Sequence, residues 1–445
     1  MHFKRCILAS MFAITTTLSL GNGFLNSAMA RTELDVVAQK FQPMPIAISE
    51  FTISNPEYAH IARDLRTIIA NNLDGSGLFK VVSKNAYIEK LTIDTPPNPE
   101  NWRPVGVAAI IVGHVGVGVN GQVEVSYRLW DAGGQGQLFS EKLSSDPAIK
   151  RRLAHKVSDS VYAKLTGEEP YFDTQIVFVD ETGSKIDRRK RLAIMDQDGG
   201  NLRYLTSTNE YILTPRYAYN KHRIVFSTLN NASSAIHYMD PTTGRRERII
   251  SFKGKMVFAP SLSPNGDLIA YSIEDSGNTD LHVFNIATRK SKRVTSGFSI
   301  DTSPSWSPDG KKIVFNSDRG GSQQLYVMSA TGGEAKRISY GAGQYATPIW
   351  SPKGNKIAFT KIKGGRFSIG IMSVDGSSEK ILSSSFLDEA PSWSPNGRYL
   401  VFFRQQPGRK GRTMLYKVDI SGYTPEVAIK TPQDASDPAW SPLLD

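Results

Sequence analysis

The stretch SPSWSPDG, residues 303–310, places a proline on each side of Trp306 and recurs along the chain. Close copies are FAPSLSPNG, ATPIWSPKG, EAPSWSPNG and, near the C-terminus, DPAWSP, while LTPRYAYNKHR is an eroded copy. The first prolines of the six copies are spaced by 45, 44, 44, 43 and 47 residues, and they are Pro215, Pro260, Pro304, Pro348, Pro391 and Pro438. A repeat of this length predicts a propeller or a solenoid.

Each repeat contains short runs that are typical of β-strands. After the glycine of the motif comes a β-branched and aromatic run, such as residues 313–315, and after a polar loop a second run, such as residues 325–328. A Gly-containing turn precedes a third run, such as residues 335–338. With the segment around the first proline as the innermost strand, each repeat has four strands and no helical pattern. Four strands per repeat indicate a β-propeller.

The sixth copy of the motif lies too close to the C-terminus to be followed by its own partner strands. The missing strands are supplied by the runs TQIVFV, RLAIMDQDGG and NLRYLT, which begin at Thr174. The C-terminal strand therefore completes a blade that begins at the other end of the propeller, and this closure leaves no open sheet edge. We predict a six-bladed β-propeller over residues 173–445.

The first 30 residues have the pattern of an export signal. Lys4 and Arg5 precede an apolar stretch over residues 7–20, and the sequence AMA predicts cleavage after Ala30. A retained membrane anchor is the alternative, although the stretch is short and interrupted by Thr and Ser. Cys6 is the only cysteine, so the mature chain has none and depends on packing alone for its stability.

Residues 31–167 predict a small α/β domain, joined to the propeller by a short linker at residues 168–172. Pairs of a capping residue and a proline begin two amphipathic helices, at Asn55-Pro56 and at Asp146-Pro147, and Gly75 and Gly167 end them. Their apolar faces are Ile61, Leu65, Ile68, Ile69 and Leu73 in the first helix, and Ile149, Leu153, Val157, Val161 and Leu165 in the second. Strand-like runs at residues 46–48, 80–82, 107–112, 123–130 and 137–143 predict a mixed sheet, so the whole chain is predicted as α+β.

The stretch GHVGVGVNG matches the glycine spacing of a dinucleotide-binding fingerprint. That fingerprint requires a helix that begins within it and an acidic residue about 20 residues further on. Here Asn120-Gly121 separates two alternating strand-like runs, which predicts the type I′ turn of a hairpin. No cofactor is predicted.

The formal charge is +11, from 53 Lys and Arg against 42 Asp and Glu, and removal of Lys4 and Arg5 leaves +9. The basic residues cluster in predicted loops at residues 185–191, 245–248 and 404–412, which are either solvated loops or a surface for an acidic partner. Nucleic acid is not expected, since export separates the chain from it and no nucleic-acid motif is present.

The chain has no nucleophile elbow, Walker loop or H-E-x-x-H motif, and its seven histidines lack metal-ligand spacing. We therefore predict no catalytic, cofactor or metal site and no enzymatic activity.

The connections that enter the innermost strands should surround one mouth of the propeller channel. Four residues before each proline stand Tyr211, Met256, Ile300, Gln344, Leu387 and Asp434. The apolar residues here and nearby, which include Phe258, Phe298, Tyr345 and Phe386, either pin the connections against neighbouring blades or form an apolar ring that binds a protein. In the second case the basic loops at residues 185–191 and 404–412 should form a charged rim. The recurring tryptophans are predicted to pack between blades: Trp306, Trp350, Trp393 and Trp440.

Three stretches resemble the TolB family, the periplasmic propeller proteins of the Tol–Pal system. They are SSSFLDEAPSWSPNG at residues 383–397, LTG at residues 165–167, and the DPAWSP ending. The export signal, the α/β domain and the closed propeller extend the resemblance over essentially the whole chain. It implies a non-enzymatic, monomeric, periplasmic adaptor that maintains outer-membrane integrity and envelope constriction during cell division. The implied partners are TolA, the peptidoglycan-associated lipoprotein Pal and other envelope proteins, without nucleic acid or a membrane span.

By the same resemblance, Pal binds the propeller mouth, at positions that here are Met256, Ala259, Thr302, Ser303, Tyr345, Thr347, Leu387 and Glu389. TolA binds the mature N-terminal segment, which is Arg31, Thr32, Glu33, Leu34, Asp35, Val36 and Val37. The mouth departs from the family pattern at KMVF, residues 255–258, where a small polar or His-containing connection is expected, and at Ser303, where an acidic residue is expected. These departures predict a more apolar contact with Pal and argue against recognition of foreign colicins.

The alternative function is a secreted hydrolase or its substrate-gating propeller, because similar repeats occur in propellers attached to peptidases. A catalytic domain of that kind needs about 200 residues or more, whereas residues 31–167 are fewer and lack a nucleophile motif. A sugar-binding propeller would expose tryptophans at the mouth, yet the tryptophans recur at one position within the repeat. The predicted function is therefore the adaptor.

Overall fold

A computed structural model describes residues 41–184, 187–208, 210–230, 233–408, 411–422 and 424–444. The predicted export signal with its cleavage site after Ala30, and the predicted TolA segment at residues 31–37, lie outside the described residues. The described chain starts with an α/β domain, whose strands and helices are β1 (Met44–Ile48), β2 (Thr52–Ile53), α1 (Ala59–Gly75), β3 (Phe79–Val81), α2 (Pro99–Trp102), β4 (Ala109–Val117), β5 (Val123–Asp131), β6 (Gln137–Ser145) and α3 (Lys150–Thr166).

The six strands of this domain form one mixed sheet in the order β3-β1-β4-β5-β6, with β2 paired to β4. Strand β1 runs parallel to β3 and β4, whereas β4, β5 and β6 are antiparallel neighbours. Asn120 and Gly121, with φ of 60° and 75°, form the turn between β4 and β5. The glycine-rich stretch GHVGVGVNG is therefore the predicted hairpin, and no α-helix begins within it.

Helices α1 and α3 pack against each other and against the sheet. Each follows a 3₁₀ turn whose cap, Asn55 or Asp146, accepts a hydrogen bond from the backbone N–H two residues further on. Gly167 ends α3 with a φ of 71°. The predicted apolar faces are buried or half-buried except for Ile149, which is exposed because it belongs to the 3₁₀ turn, where the α-helical period does not apply. Among the described residues, no helix combines the length and the hydropathy that crossing a membrane requires.

The rest of the chain forms six four-stranded antiparallel sheets, each of which is one blade of a propeller. The chain enters with the three outer strands of blade six, which are β7 (Gln175–Thr182), β8 (Arg189–Asp196) and β9 (Arg203–Tyr204). Blades one to five follow as β10 (Tyr211–Tyr217), β11 (Ile224–Leu229), β12 (Ser234–Met239), β13 (Arg246–Ile250); β14 (Met256–Leu262), β15 (Leu268–Asp275), β16 (Asn278–Asn285), β17 (Lys290–Arg293); β18 (Asp301–Trp306), β19 (Lys312–Ser317), β20 (Gln324–Ser329), β21 (Lys336–Arg337); β22 (Gln344–Trp350), β23 (Lys356–Lys363), β24 (Arg366–Ser373), β25 (Lys380–Ser385); β26 (Leu387–Trp393), β27 (Tyr399–Gln405), β28 (Thr413–Asp419) and β29 (Val427–Ile429).

The last strand, β30 (Asp434–Trp440), is the innermost strand of blade six and pairs with β7. The predicted closure by the C-terminal strand, and with it the six-bladed propeller, is confirmed. Hydrogen bonds extend the pairing beyond the strands, since Ser441 and Gln175 exchange two bonds of 2.8 Å. The motif tryptophans are buried, and the indoles of Trp306 and Trp393 donate to backbone carbonyls of the preceding blade.

The α/β domain contacts blades five and six at the end of the propeller where the innermost strands finish. The Tyr399 hydroxyl donates to the Ser76 carbonyl at 2.8 Å, and the Lys417 ammonium donates to the Gly75 carbonyl at 2.9 Å. Both acceptors lie at the C-terminal end of α1, where a helix presents unsatisfied carbonyl groups. The opposite end of the propeller carries the connections that enter the innermost strands.

The segment that joins the two parts is tightly packed. Tyr171 and Phe172 are fully buried in a core to which both α3 and the strands of blades five and six contribute. The Asp159 carboxylate of α3 accepts hydrogen bonds from the backbone N–H groups of Tyr171, Phe172 and Asp173 at 3.0, 2.7 and 2.9 Å. Residues 168–172, predicted as a linker, therefore form a fixed joint.

Candidate functional site at the propeller mouth

The innermost strand of every blade is bent at the same point. The residue before each motif proline has a left-handed φ between 44° and 55°, and these residues are Thr214, Ala259, Ser303, Thr347, Ala390 and Asp437. The pairing of the innermost strand with its neighbour shifts register there in all six blades. Non-glycine residues rarely adopt this conformation, and bulges of this kind re-aim side chains. We call these six residues the bulge ring; the mouth lies above it and the motif turns lie below it.

Above the bulge ring, successive side chains alternate between the two sides of the strand. The side chains three residues before each proline are all buried: Ile212, Val257, Asp301, Tyr345, Asp388 and Ala435. The side chains four residues before each proline are exposed or half-buried: Tyr211, Met256, Ile300, Gln344, Leu387 and Asp434. This is the two-residue period of a strand. The mouth surface is therefore built from the fourth position and from the connections that precede it.

The residues predicted to bind Pal occupy three environments. Met256 and Leu387 begin their strands and are half-buried at the mouth surface. Deeper residues, at or beside the bulge ring, are Ala259, Thr302, Ser303, Thr347 and Glu389. Tyr345 is fully buried, and its hydroxyl donates to Glu379 at 2.7 Å. Contact of these residues with a partner stays a prediction.

Aromatic side chains project from the connections around the mouth. At least 39% of each side chain is exposed in the aromatic rim, which consists of Tyr211, Phe252, Phe298, Tyr340 and Phe386. Tyr211 is the first residue of β10 in blade one, and the other four lie in the connections entering blades two to five, in that order. The sequence interpretation named three of them but missed Phe252 and Tyr340, because both stand eight residues before their prolines, outside the window around the motif. A search of each whole connection for an aromatic residue would have found them.

Most of the described basic residues in the loops predicted to rim the mouth form ion pairs. Arg188 donates to Asp434 at 2.6 Å, and Lys190 lies 3.0 Å from Glu181. Arg404, at the end of the other loop, pairs with a buried aspartate. The described part of the mouth therefore presents aromatic surface rather than a continuous positive surface, which suits a protein partner.

Charged side chains also stand within the channel. Burial raises the pKa of Glu389 to about 7, and the nearby charge of Asp437 acts in the same direction. Burial raises the pKa of Asp437 as well, although Lys190 and Arg216 oppose this rise. The sequence interpretation missed Asp437 and Arg216. The sequence does mark both residues. Asp437 directly precedes its motif proline and Arg216 directly follows its own, and most other copies have a small residue at each of these positions.

One group with metal-ligating chemistry lies at the junction with the α/β domain and consists of His155, Asp196 and Asp198. Arg151 already donates to Asp196 at 2.8 Å and to Asp198 at 2.7 Å. The side-chain amide of Asn72 donates to the His155 Nδ1 atom at 2.9 Å. A guanidinium occupies the place that a cation would take, so this group is an ion-pair network between the two parts of the chain.

Comparison with known proteins identifies matches over both parts of the chain. The family model described as the TolB beta propeller domain matches residues 162–444, and the TolB amino-terminal domain matches residues 32–138. The crystal structure of TolB from Acinetobacter baumannii is 30% identical to this chain, covers 90% of it and 97% of its own chain, and superposes with a TM-score of 0.81. A putative TolB from Agrobacterium tumefaciens is 18% identical over 60% of this chain and 92% of its own, with a TM-score of 0.45.

Proposed function

The chain belongs to the TolB family of periplasmic Tol–Pal proteins, and we propose that it acts in that system as a non-enzymatic adaptor. It binds Pal through the propeller mouth and TolA through residues 31–37 of the mature chain. By linking the two, it maintains outer-membrane integrity and envelope constriction during cell division. The resemblance in the motif stretches and the family match together support this role.

The observation that carries the proposal is the aromatic rim. Exposed apolar surface on a soluble protein marks an interaction site, and aromatic side chains are enriched where proteins bind one another. The rim lies at the end of the propeller opposite to the contacts that Tyr399 and Lys417 make with the α/β domain. A partner can therefore approach the mouth without displacing that domain.

Within the mouth, Met256 and Leu387 are the expected apolar anchors for Pal. They occupy the same repeat position in blades two and five, which face each other across a six-bladed ring. Half-buried apolar residues near the centre of an interface carry a large share of the binding energy. Tyr345, being buried, would support the mouth from within the blade instead of contacting Pal.

The TolA-binding role of residues 31–37 rests on the family resemblance, and the segment lies outside the described residues. The segment is short and is followed by Pro43 and Pro45. We expect its deletion to abolish TolA binding while Pal binding stays intact. Loss of Pal binding in the same variant would assign the segment to the mouth or to the core.

The proposed function is tested by titration calorimetry of the chain from Arg31 onward against the soluble domain of Pal. The parent chain should bind saturably, and a Met256→Asp, Leu387→Asp variant should bind at least a hundredfold more weakly. The matched control carries Val117→Asp and Val427→Asp, which change two exposed apolar residues away from the mouth. Absence of binding by the parent chain would refute the adaptor role, and equal loss in the control would refute the mouth as the site.

A substrate-gating propeller of a hydrolase is the competing function. It would require peptides to enter the channel and to be cleaved. Incubation of the chain from Arg31 onward with a mixed peptide library, followed by mass spectrometry, should show no new termini. Cleavage that persists after repurification would overturn the non-enzymatic role.

A further inference from the structure

A cavity of about 490 Å³ lies below the bulge ring, towards the end of the propeller opposite to the mouth. Its wall includes the residue after the motif proline in all six blades: Arg216, Ser261, Ser305, Ile349, Ser392 and Ala439. The second motif prolines of four blades also line it: Pro308, Pro352, Pro395 and Pro442. A cavity of this volume can hold a small organic molecule, since ligand sites commonly measure about 300–1,000 Å³.

Arg216 is the one cation among the residues that line this cavity, and no Asp or Glu lines it. The Arg216 guanidinium donates one hydrogen bond, at 2.7 Å, to the carbonyl of the preceding residue, Pro215. Among the described residues it forms no ion pair, although the charge of Asp437, in the bulge ring above, acts on it over a longer distance. A guanidinium is always charged in proteins, and a half-buried charge without a directly paired counterion is unfavourable.

Hydroxyl groups and apolar surface complete the wall. Ser392 accepts a hydrogen bond from the Trp440 backbone N–H at 3.0 Å, which leaves its own O–H to act as a donor. Ser261 adds a second hydroxyl, and Ile349 and Pro352, both half-buried, add apolar surface. One guanidinium fork with hydroxyl donors matches the two oxygens of a carboxylate, and the apolar wall suits a carbon skeleton attached to it.

The phenol of Tyr219 spans the channel close to this cavity. Its hydroxyl donates to the Trp350 carbonyl and lies 3.4 Å from the Trp306 carbonyl, which belong to blades four and three. Tyr219 takes the place of the second motif proline in blade one, the same eroded copy that carries Arg216. The two residues that distinguish this copy therefore line one cavity.

We propose that this lower cavity, with Arg216 as the charged contact and Ser261 and Ser392 as hydroxyl donors, binds a small organic carboxylate. The ligand places its carboxylate on the guanidinium and its apolar part against Ile349 and Pro352. This site is separate from the mouth and does not depend on the proposed Pal-binding role.

The test is calorimetry of the chain from Arg31 onward, in a buffer without carboxylate or phosphate, with benzoate as the probe. Benzoate should bind saturably, and Arg216→Gln should weaken binding at least tenfold. Benzamide, which lacks the charge, and inorganic phosphate, which lacks the apolar part, should each bind at least tenfold more weakly than benzoate. The matched control is Arg245→Gln, which removes an exposed arginine of the same blade and should leave binding unchanged.

Absence of benzoate binding, or unchanged binding in Arg216→Gln, would overturn the proposal. Phosphate binding as tight as benzoate binding would overturn the assignment to organic carboxylates. A second measurement does not depend on a variant: crystals of the parent chain are soaked with 4-bromobenzoate and the bromine is located by its anomalous signal. Bromine in the lower cavity supports the site, whereas its absence there contradicts it.

Discussion

The guanidinium of Arg404 lies 2.7 Å from each carboxylate oxygen of Asp388, which is fully buried beside the first residue of the innermost strand of blade five. The hydroxyls of Ser383 and Ser385 donate to the same carboxylate. The neighbours of Asp388 in the chain are two of the residues predicted to bind Pal. A buried, fully paired carboxylate therefore fixes the position of the mouth in this blade.

Substitution of Asp388 should destabilise the chain strongly. Asp388→Ala removes the buried partner of the Arg404 guanidinium, which keeps an ion pair of 2.8 Å with Glu426. The cost should therefore lie at the lower end of the about 3–5 kcal/mol that removal of one member of a buried pair carries. The free energy of unfolding, measured in urea by intrinsic fluorescence, should fall by that amount. Asp267→Ala, which breaks an exposed pair with Lys221, is the control and should cost less than about 0.5 kcal/mol. A loss below about 1 kcal/mol in Asp388→Ala would contradict the structural role of the pair.

Glu389 should make the stability depend on pH between about 5 and 8. Its pKa is about 7 in the folded chain, above the ordinary value of 4.5. The folded chain therefore retains a proton that the unfolded chain has lost, so the stabilisation present below pH 4.5 disappears as the pH rises through 7.

Glu389→Gln removes this titration. The difference in free energy of unfolding between Glu389→Gln and the parent should increase by about 1–2 kcal/mol between pH 5 and pH 8. This is less than complete burial of the carboxyl would give, because Glu389 is only half-buried. The measurement is urea unfolding of both chains at pH 5, 6.5 and 8. A difference that stays constant across these three values would show that Glu389 does not carry the shifted titration.

The joint between the α/β domain and the propeller should depend on Asp159. Asp159→Ala leaves three buried backbone N–H donors without their acceptor, and each such loss costs about 1–3 kcal/mol. We expect the variant to unfold in calorimetry at least 5 °C below the parent, with the α/β domain separating from the propeller as an earlier transition. Asp64→Ala, an exposed pair partner of Lys150, is the control. A single transition at the temperature of the parent would refute the role of this joint.

Phe298 offers a local test of the aromatic rim, because its side chain is fully exposed and its truncation should not alter the fold. Phe298→Ala should weaken Pal binding about tenfold or more, since truncation of an aromatic interface residue often costs at least 1–2 kcal/mol. The free energy of unfolding should stay within about 0.5 kcal/mol of the parent. Unchanged affinity for Pal would exclude the connection into blade three from the contact.

The propeller was predictable because its repeat is local in sequence. The period of the prolines, the strands after each motif and the closing role of the last copy each depend on short patterns, and all appear in the structure. The helices α1 and α3 were predictable for the same reason, since Asn55 and Asp146 are local capping signals.

The features that the sequence did not reveal depend on residues far apart in the chain. Arg188 and Asp434 pair across 246 positions, so the neutralisation of the basic loop had no local signature. The Tyr399 hydroxyl donates to the Ser76 carbonyl, 323 positions away in the chain, so the packing between the two domains could not be predicted from local sequence patterns. The buried side of each innermost strand was predictable in principle, because Tyr345 occupies the same repeat position as Val257 and Asp388, and comparison of all six copies would have separated it from the exposed position.

Hydrogen–deuterium exchange of the chain from Arg31 onward, with and without the soluble domain of Pal, tests the central claim most directly. If Pal binds the propeller mouth, backbone amides should become protected in residues 251–258, 298–302, 340–346 and 386–389, while residues 44–166 of the α/β domain stay unchanged. Protection confined to the α/β domain or to the motif turns at the opposite end of the channel would contradict the proposed site.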